Sequence, residues 1–263
     1  MRLDVYLTEH GHADSRQRAK VLIAGGCVSV NGKDVTKPAF DVKENDVVLV
    51  SGDPIGYVSR GALKLKGAFE AFALDVQGLT AADIGASTGG FTEYLLSRGA
   101  EKVYAVDSGR DQLAAKLRAD ARVVCMEGYN ARNLDTNDFG GGVDAAVMDV
   151  SFISQTLILP ALSKILKEKS FLVSLIKPQF EAGREAVGKG GIVKNPVSRA
   201  IAAKRVITCA AENGLRLVGL VPSPILGGDG NVELLACFAK GEVLPNYDGN
   251  VDLLISETVK ERT

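Results

Sequence analysis

The apolar and polar positions of the chain follow two patterns, which change near residue 60. Residues 1–50 show two short helical repeats of apolar residues, then a hairpin and one more strand. Beyond residue 60, short apolar runs alternate with longer helical repeats up to about residue 240. That alternation is typical of an α/β domain with a mostly parallel sheet. The sequence therefore predicts a small α+β domain at residues 1–50, followed by a larger α/β domain.

Capping and turn residues define the elements of the small domain. Its second helix is predicted to begin with Asp14 or Ser15 as N-cap and to end at the glycine pair 25–26. A turn at residues 31–33 closes the hairpin, and residues 47–50 supply the other strand. The predicted order is helix, helix and a small sheet.

A turn-rich stretch at residues 51–58 is predicted to link the two domains. The larger domain then covers residues 59–243 and opens with a helix that Ser59 caps and that runs to about Leu74. The tail, residues 244–263, is predicted to hold at most a short terminal helix.

The predicted strands of the larger domain have charged residues at or near their ends. Apolar runs lead into Asp83, Asp107, Asp149 and Lys177. The last strand, residues 232–238, holds an acid, Glu233, in an apolar run. Because carboxyl ends of parallel strands form the ligand-binding edge of such a sheet, we expect the residues that follow them to lie close together. Helices are predicted between the strands at residues 111–118, 156–166 and 196–213.

A glycine-rich turn joins the first of these strands to a helix. Ser87 stands where a dinucleotide fingerprint needs its middle glycine, and no Lys-Ser/Thr pair follows as in a P-loop. Asp107, 22 residues after Gly85, can accept from both hydroxyls of an adenosine ribose. Adenosine without phosphates indicates S-adenosylmethionine, although glycines that only permit tight packing would give the same turn.

Composition limits the classes that need consideration. With 46% hydrophobic residues over 263 positions, the chain should bury a sizeable core. A net charge of −1 does not favour a polyanion partner, so nucleic-acid binding would need basic residues concentrated on one face. The four cysteines lie far apart and far from both histidines, which predicts no disulfide framework and no metal site. No uncharged apolar run approaches the roughly 18 residues that span a bilayer, so we expect a cytoplasmic protein that requires no membrane.

Basic residues are concentrated between positions 16 and 37, where five bases face one acid. Arg16 and Lys20 share a face of the second helix, which fits either a phosphate backbone or an ordinary solvated surface. Ser-Arg at the start of that helix and Gly-x-Val-x-Val-Asn-Gly at residues 26–32 resemble the RNA-binding S4 domain. This resemblance implies an RNA-binding role for the small domain. The candidate RNA-binding residues are Arg2, Arg16, Arg18, Lys20, Lys33 and Arg60.

Four charged residues form a second candidate group. Lys64, on the helix before the first strand, joins Asp149, Lys177 and Glu233 to make two cations and two anions. Buried charges are costly unless paired, so the four are either ion pairs that tie the strands together or a catalytic group. The residues after Asp149 lack the two prolines typical of amino-group methyltransferases, and the chain lacks the Pro-Cys pair of carbon-five pyrimidine enzymes.

A ribose hydroxyl is the acceptor that fits this group. It is a weak acid, and burial beside a second cation makes an amine available as the base that it needs. Lys177 flanked by Lys64 is predicted to be this base, with Asp149 orienting it and Glu233 holding Lys64 or the substrate.

The four residues in this order resemble those of the FtsJ-like ribose methyltransferases, as do residues 83–92 and Lys-Pro-Gln-Phe at 177–180. With the N-terminal domain attached, residues 2–240 resemble the TlyA family, whose members are also named hemolysins and methylate ribosomal RNA. The resemblance implies a Rossmann-like class I methyltransferase fold with a mostly parallel seven-stranded sheet. It also implies S-adenosylmethionine as cofactor and ribosomal RNA or a ribosomal subunit as partner. With this resemblance, the candidate cofactor contacts are Asp83, Gly85, Ser87, Gly89, Gly90, Phe91, Asp107, Asn130 and Asp149.

The same resemblance implies methylation of the 2′-hydroxyl of a cytidine in large-subunit rRNA, and in some members also in small-subunit rRNA. The short segment ahead of Arg2 resembles members that act on the large subunit alone. Two other functions stay open at this point. One is a cytolysin, as the hemolysin name suggests, and the other is a non-catalytic RNA-binding factor in ribosome assembly.

Overall fold

The computed structural model describes residues 1–13, 15–51 and 56–260. They belong to two compact units, Met1–Ser59 and Arg60–Thr263. The candidate cap Asp14 and part of the predicted linker at residues 51–58 lie outside the described residues.

The N-terminal unit has the predicted order of two helices and a small sheet. Its elements are α1 (Leu3–Glu9), α2 (Arg16–Ala24), β1 (Val28–Val30), β2 (Lys33–Asp34) and β3 (Val48–Val50). Ser15 caps α2, since its Oγ accepts a hydrogen bond from the Arg18 N–H at 3.2 Å. The strands pair antiparallel in the order β2-β1-β3. Leu3, Leu7 and Ile23, all fully buried, form the centre of its core.

The larger unit alternates strands and helices over most of its length. Its helices are α3 (Gly61–Ala71), α4 (Gly90–Ser97), α5 (Ala115–Arg118), α6 (Leu159–Ile165), α7 (Pro178–Glu181), α8 (Pro196–Glu212) and α9 (Val251–Thr258). Its strands are β4 (Thr80–Ile84), β5 (Lys102–Asp107), β6 (Val123–Glu127), β7 (Val143–Met148), β8 (Leu166–Ile176), β9 (Arg216–Pro222) and β10 (Leu234–Lys240).

The seven strands form one sheet in the order β6-β5-β4-β7-β8-β10-β9. Strands β4 to β8 are parallel, whereas β10 runs antiparallel to both of its neighbours. The predicted Rossmann-like fold with a mostly parallel seven-stranded sheet is therefore confirmed. Since β10 is reversed, its start lies at the edge where the parallel strands end.

Apolar side chains cover the sheet and hold the helices against it. Ile84, Met148, Ile176 and Phe238 come from four different strands and are fully buried in one cluster. Burying a side chain of this size contributes about 1.5–3 kcal/mol. The core therefore fixes the strand ends that carry the candidate site.

Helix α8 follows its sequence signals closely. Asn195 caps it, with Oδ1 accepting from the Val197 N–H at 2.9 Å, and Pro196 occupies the first turn. The terminal helix predicted in the tail is α9. In the described part of the chain, no helix is both long and apolar enough to cross a bilayer.

Three predicted boundaries are wrong. Helix α3 ends at Ala71 rather than near Leu74, because Ala73 has a left-handed φ of +50°. Ser59 is not its cap: the N-cap is Arg60, which makes no side-chain capping hydrogen bond. The predicted helix at 156–166 is divided between a 3₁₀ turn, Gln155–Leu157, and α6.

Candidate active site

A cleft of about 500 Å³ opens where β4, β5 and β7 end. We name it the strand-end cleft, and its volume lies within the roughly 300–1,000 Å³ typical of small-molecule sites. The predicted cofactor contacts found in its wall are Gly85, Ser87, Asp107, Asn130 and Asp149. Wall residues without a prediction include Gln112, Tyr129, Ser151, Phe152 and Ile153.

Gly85 is required because two strand ends approach each other closely. Its φ is +88°, and a Cβ at this position would lie 2.5 Å from the Asp149 carbonyl oxygen. Any side chain would therefore push β4 away from β7 and change the floor of the cleft.

Asp107, at the end of β5, fixes two loops beside the cleft. Its Oδ2 accepts from the Ser87 N–H at 2.8 Å, and its Oδ1 accepts from the Gly109 N–H at 2.7 Å. Each carboxylate oxygen keeps a further lone pair. Asp107 can therefore hold the loops and still accept hydrogen bonds from a ligand.

Glu127, at the end of β6, organises the next loop and was missed by the sequence predictions. It accepts from the backbone N–H groups of Asp111, Gln112 and Leu113 and from the Arg118 guanidinium, all at 2.8–2.9 Å. The Leu113 N–H and the Arg118 guanidinium are the main causes that lower the pKa of Glu127 to about 2.

These hydrogen bonds explain a fourth wrong boundary. The N–H groups of residues 111–113 point to a carboxylate and Asp111 has a φ of +57°, so the predicted helix at 111–118 is confined to α5. An acid at the end of a third strand, as at Asp83 and Asp107, was the signal that could have identified Glu127.

Asp83 lies behind the wall of the cleft, which corrects its prediction as a cofactor contact. Its Oδ2 accepts from the N–H and the hydroxyl of Thr92 at 2.8 and 2.7 Å, so it ties β4 to the first turn of α4. The side chain is fully buried, and this burial raises the pKa of Asp83 to about 7. Asp83 therefore holds the glycine-rich turn in position.

Three other predicted cofactor contacts also lie behind the wall. Gly89 has a φ of +93°, and a Cβ there would lie 2.3 Å from a methyl carbon of Leu117. Gly90 and Phe91 are buried in the first turn of α4. These residues shape the turn through packing, because α4 enters the core immediately after Gly89.

Asn130 lies in the cleft wall, and a backbone N–H group orients its side chain. Its Oδ1 accepts from the Arg132 N–H at 3.1 Å. The adjacent Tyr129 hydroxyl donates to Asp138 at 2.6 Å, and burial together with this carboxylate raises the pKa of Tyr129 to about 12. Tyr129 is therefore a neutral part of the wall at physiological pH.

Lys177 is held at the rim of the cleft by two partners. Its Nζ lies 2.6 Å from Asp149 Oδ1 and donates to Ser151 Oγ at 2.7 Å. The lysine side chain is 11% exposed, whereas Asp149 and Ser151 line the cleft. The sequence predictions missed Ser151, although it follows Asp149 by two residues.

Lys64 and Glu233 form a separate, more deeply buried ion pair. Lys64 Nζ lies 2.6 Å from Glu233 Oε2, and the two side chains are 9% and 3% exposed. Glu233 stands just before β10 rather than within the strand. Because Leu234 pairs with Ile176, the residues beyond this pair, 233 and 177, emerge at the same edge of the sheet. Each lysine therefore has its own carboxylate. Glu233 was predicted to hold either Lys64 or the substrate, and in the structure it pairs with Lys64.

The predicted RNA-binding residues divide into two groups. Arg2 and Arg16 both donate to the carboxylate of Asp4, at 2.9 and 2.8 Å. Asp4 is fully buried, and the guanidinium groups of Arg2 and then Arg16 hold its pKa far below the usual range. Both arginines remain about half exposed.

The other candidates have different environments. Lys20 and Lys33 are exposed, and Arg18 is half-buried. Arg60 belongs to the larger unit and donates to the Leu226 carbonyl at 2.6 Å, so it fastens a loop there.

Comparison with known proteins agrees with this geometry. Residues 57–240 match the model of the FtsJ-like methyltransferase family, and residues 1–48 match that of the S4 domain. A methyltransferase structure from Listeria monocytogenes, 15% identical, has a TM-score of 0.51 over 70% of this chain and all of its own, which shows the common fold.

Closer relatives cover both units. The protein named 16S/23S rRNA (cytidine-2′-O)-methyltransferase TlyA from Mycobacterium tuberculosis is 48% identical, over 88% of this chain and 87% of its own. Hemolysin A of Brachyspira hyodysenteriae is 45% identical, over 90% of this chain and 99% of its own.

A hemolysin-named structure from Streptococcus thermophilus is 43% identical and has a TM-score of 0.77, covering 98% of this chain and 94% of its own. The resemblance inferred from the sequence is thus confirmed. The chain belongs to the FtsJ-like methyltransferase family, carries an S4 domain at its N-terminus, and is related over most of its length to TlyA and hemolysin-named proteins.

Proposed function

We propose that this protein methylates the ribose 2′-hydroxyl of a cytidine in ribosomal RNA, with S-adenosylmethionine as methyl donor. The observation that carries the proposal is the Lys177 amine, held by Asp149 and Ser151 at the rim of the strand-end cleft. The rRNA methyltransferase name of the Mycobacterium tuberculosis relative supports the choice of acceptor.

The cleft fits S-adenosylmethionine in size and chemistry. Asp107 would accept from the ribose hydroxyls of its adenosine, Asn130 would lie against the adenine, and Gly85 leaves room at the floor. Asp149 offers a carboxylate to a positively charged group. When bound, this cofactor supplies a methyl group on a positively charged sulfur.

Lys177 then acts as the general base. Asp149 and Ser151 fix two of the directions around Nζ, so the position left for a ribose hydroxyl is defined. As the ribose oxygen is methylated, Lys177 Nζ would take the hydroxyl proton, and the bound cofactor would supply the methyl group. A positioned base of this kind accelerates such a step by about 10²–10⁴-fold.

Lys64 would bind the substrate rather than take its proton. Glu233 pairs with Lys64 at a buried position, and an ammonium has three N–H donors, of which Glu233 uses one. The others can donate to the sugar or phosphate oxygens of the target nucleotide.

Basic side chains of the N-terminal unit would supply the affinity for ribosomal RNA. Lys20 and Lys33 are exposed, and Arg2 and Arg16 keep half of their surface in solvent while Asp4 fixes them. Contacts of this kind bind phosphates independently of sequence. We infer large-subunit rRNA in the cytoplasm as the target.

Ribose-methylation mapping tests this proposal. Large and small ribosomal subunits from cells that lack the protein would be incubated with it and labelled S-adenosylmethionine, and reverse-transcription stops would locate the product. We expect one new ribose methylation at a cytidine of the large-subunit rRNA. Methylation of a base, or binding of the rRNA without any transfer, would contradict the proposal, and the second result would favour an assembly factor.

A cytolysin is separated from this function by a liposome-leakage assay. The purified protein should release no trapped dye from vesicles of phosphatidylcholine and phosphatidylglycerol at concentrations that methylate rRNA. Leakage that survives the substitution Lys177→Ala would indicate a second, membrane-directed activity.

A further inference from the structure

A second cavity, of about 490 Å³, shares two wall residues with the strand-end cleft. Phe152 and Ile153 belong to both, so the two cavities are continuous at the rim. We name the second cavity the flanking groove. It is lined by Phe152, Ile153, Ser154, Gln179, Phe180, Gly183, Arg184 and Val187.

Two aromatic rings form one side of the groove. Phe152 is 92% exposed and has a φ of +64°, a backbone conformation that a bulky residue rarely adopts. Its ring centroid lies 5.2 Å from that of Phe180, at an interplanar angle of 51°. Sparsely populated backbone conformations cluster at ligand-binding positions. These rings offer apolar faces on which a flat ligand group can stack.

Gln179 contributes an unused hydrogen-bond acceptor to the groove. Its Oε1 is buried and has no hydrogen-bond partner among the described residues. Buried polar atoms in folded proteins are nearly always paired, so an orphan acceptor next to a cavity indicates a partner that arrives with a ligand. A nucleobase amino group is such a donor.

Arg184 supplies positive charge at the far end of the groove. Its side chain is exposed and makes no ion pair in the part of the chain that the structure describes, and Glu185 beside it does not line the groove. The loop behind it is fixed by Asn231, which accepts from the Val193 N–H and donates to the Gly191 carbonyl at 2.9 and 2.8 Å. An exposed guanidinium of this kind suits a phosphate.

We propose that the flanking groove binds the RNA nucleotide next to the one that is methylated. Its base stacks against Phe180 and donates to Gln179 Oε1, while a phosphate lies on Arg184. This inference rests on the proposed function, because it places the target sugar beside Lys177. It identifies Gln179, Phe180 and Arg184 as determinants of which sequence around the cytidine is accepted.

The substitution Gln179→Leu gives the sharpest test. It removes an amide whose oxygen has no protein partner, so it should leave the thermal midpoint of unfolding unchanged or higher. We expect kcat/KM for rRNA methylation to fall about tenfold. Affinity for S-adenosylmethionine, measured by calorimetry, should change less than about twofold. Full activity of Gln179→Leu would overturn the role of the amide.

Arg184→Gln has a matched control in Lys189→Gln, which removes the same charge from the same loop outside the groove. Arg184→Gln should raise KM about tenfold and lower the salt slope of RNA binding by about one, whereas Lys189→Gln should have little effect. Equal losses of RNA binding in both variants would mean that the charge of the loop attracts RNA without a defined contact. That result would overturn the proposed phosphate contact in the flanking groove.

An abasic substrate tests the base contact. An RNA fragment without the base next to the target cytidine should bind wild-type protein about tenfold more weakly, and Phe180→Leu should bind both fragments alike. If removal of the base and the substitution Phe180→Leu weaken RNA binding independently of each other, the base does not stack on Phe180. Because these experiments measure binding as well as transfer, wild-type protein that binds but never methylates rRNA would refute the proposed function alone.

Discussion

The two units each contain a cluster of paired charges, but only the larger unit buries the cations as well as an acid. In the N-terminal unit the acid is inside: Asp4 is fully buried, while Arg2 and Arg16 are 50% and 55% exposed. In the larger unit the cations are inside: Lys64 and Lys177 are 9% and 11% exposed.

This difference separates two uses of an ion pair. A buried acid with exposed bases anchors the bases and leaves their outer donors for solvent or phosphate. A buried lysine has lost most of its water, so its partners decide where its proton and its lone pair point. The first arrangement suits binding, and the second suits proton transfer.

The largest effect is expected at the buried lysine of the cleft. Lys177→Ala should lower methyl transfer by at least about 10³-fold, because the base is lost, while affinity for S-adenosylmethionine stays within about twofold. Transfer of labelled methyl groups to ribosomal subunits measures this. Lys167→Ala, on the same strand, is the control, since Lys167 is 43% exposed and pairs with Asp144. Residual full activity would remove Lys177 from the mechanism.

The second buried pair should affect both activity and stability. Glu233→Gln leaves Lys64 buried without a carboxylate, so we expect about a 100-fold loss of transfer and about 3 kcal/mol less free energy of unfolding. Glu70→Gln is the control, because Glu70 lies on the same helix as Lys64 and belongs to an exposed pair: it lies 3.9 Å from Lys66 and is 67% exposed. If both variants unfold at similar urea concentrations, the buried pair Lys64–Glu233 contributes no more stability than the exposed pair Lys66–Glu70.

Exposed bases should affect binding alone. The double substitution Lys20→Glu and Lys33→Glu should weaken RNA affinity about 30-fold at low salt and reduce the salt slope by about two. Fluorescence anisotropy over a series of salt concentrations measures both quantities. Arg98→Glu with Lys102→Glu makes the same charge change in the larger unit. An unaltered slope in the first variant would locate the RNA surface elsewhere.

The buried acid of the N-terminal unit should contribute stability that depends on pH. The depressed pKa of Asp4 means that its contribution is present above about pH 4, the value of a free aspartate, and is lost as the pH falls further. Asp4→Asn should therefore lower the free energy of unfolding by about 1–2 kcal/mol at pH 7 and by less in acid.

Hydrogen exchange of amides in α1 and α2 reports on this unit. Asp41→Asn is the control, because Asp41 is 77% exposed and pairs with the N-terminal amine. A difference between Asp4→Asn and wild type that persists unchanged below pH 3 would contradict the ion-pair explanation.

Much of the fold could be predicted because local signals agreed with it. Asn195 with Pro196 starts α8, Ser15 starts α2, and apolar runs that end in acids gave the central strands. The helix predicted at 111–118 is shorter in the structure because tertiary contacts override propensity. The carboxylate of Glu127 takes three backbone N–H groups that a helix would have kept internal.

The candidate site could be predicted at the level of residues but not of pairs. The sequence brought Lys64, Asp149, Lys177 and Glu233 to one sheet edge, and the structure brings them there as two ion pairs. Which acid serves which lysine depends on the reversed direction of β10, which no local pattern encodes. The sequence predicted that Asp83 and Gly89 contact the cofactor, because a turn residue that faces the core has the same sequence signature as one that faces the cleft.

The reversed strand β10 also affects when the enzyme becomes competent during its own synthesis. This strand inserts between β8 and β9, and Glu233 precedes it, so the sheet stays open until residues 234–240 have been synthesised. A nascent polypeptide that stops earlier carries Lys64 with no counterion. A polypeptide that ends before residue 233 therefore lacks both the strand that completes the sheet and the partner of Lys64.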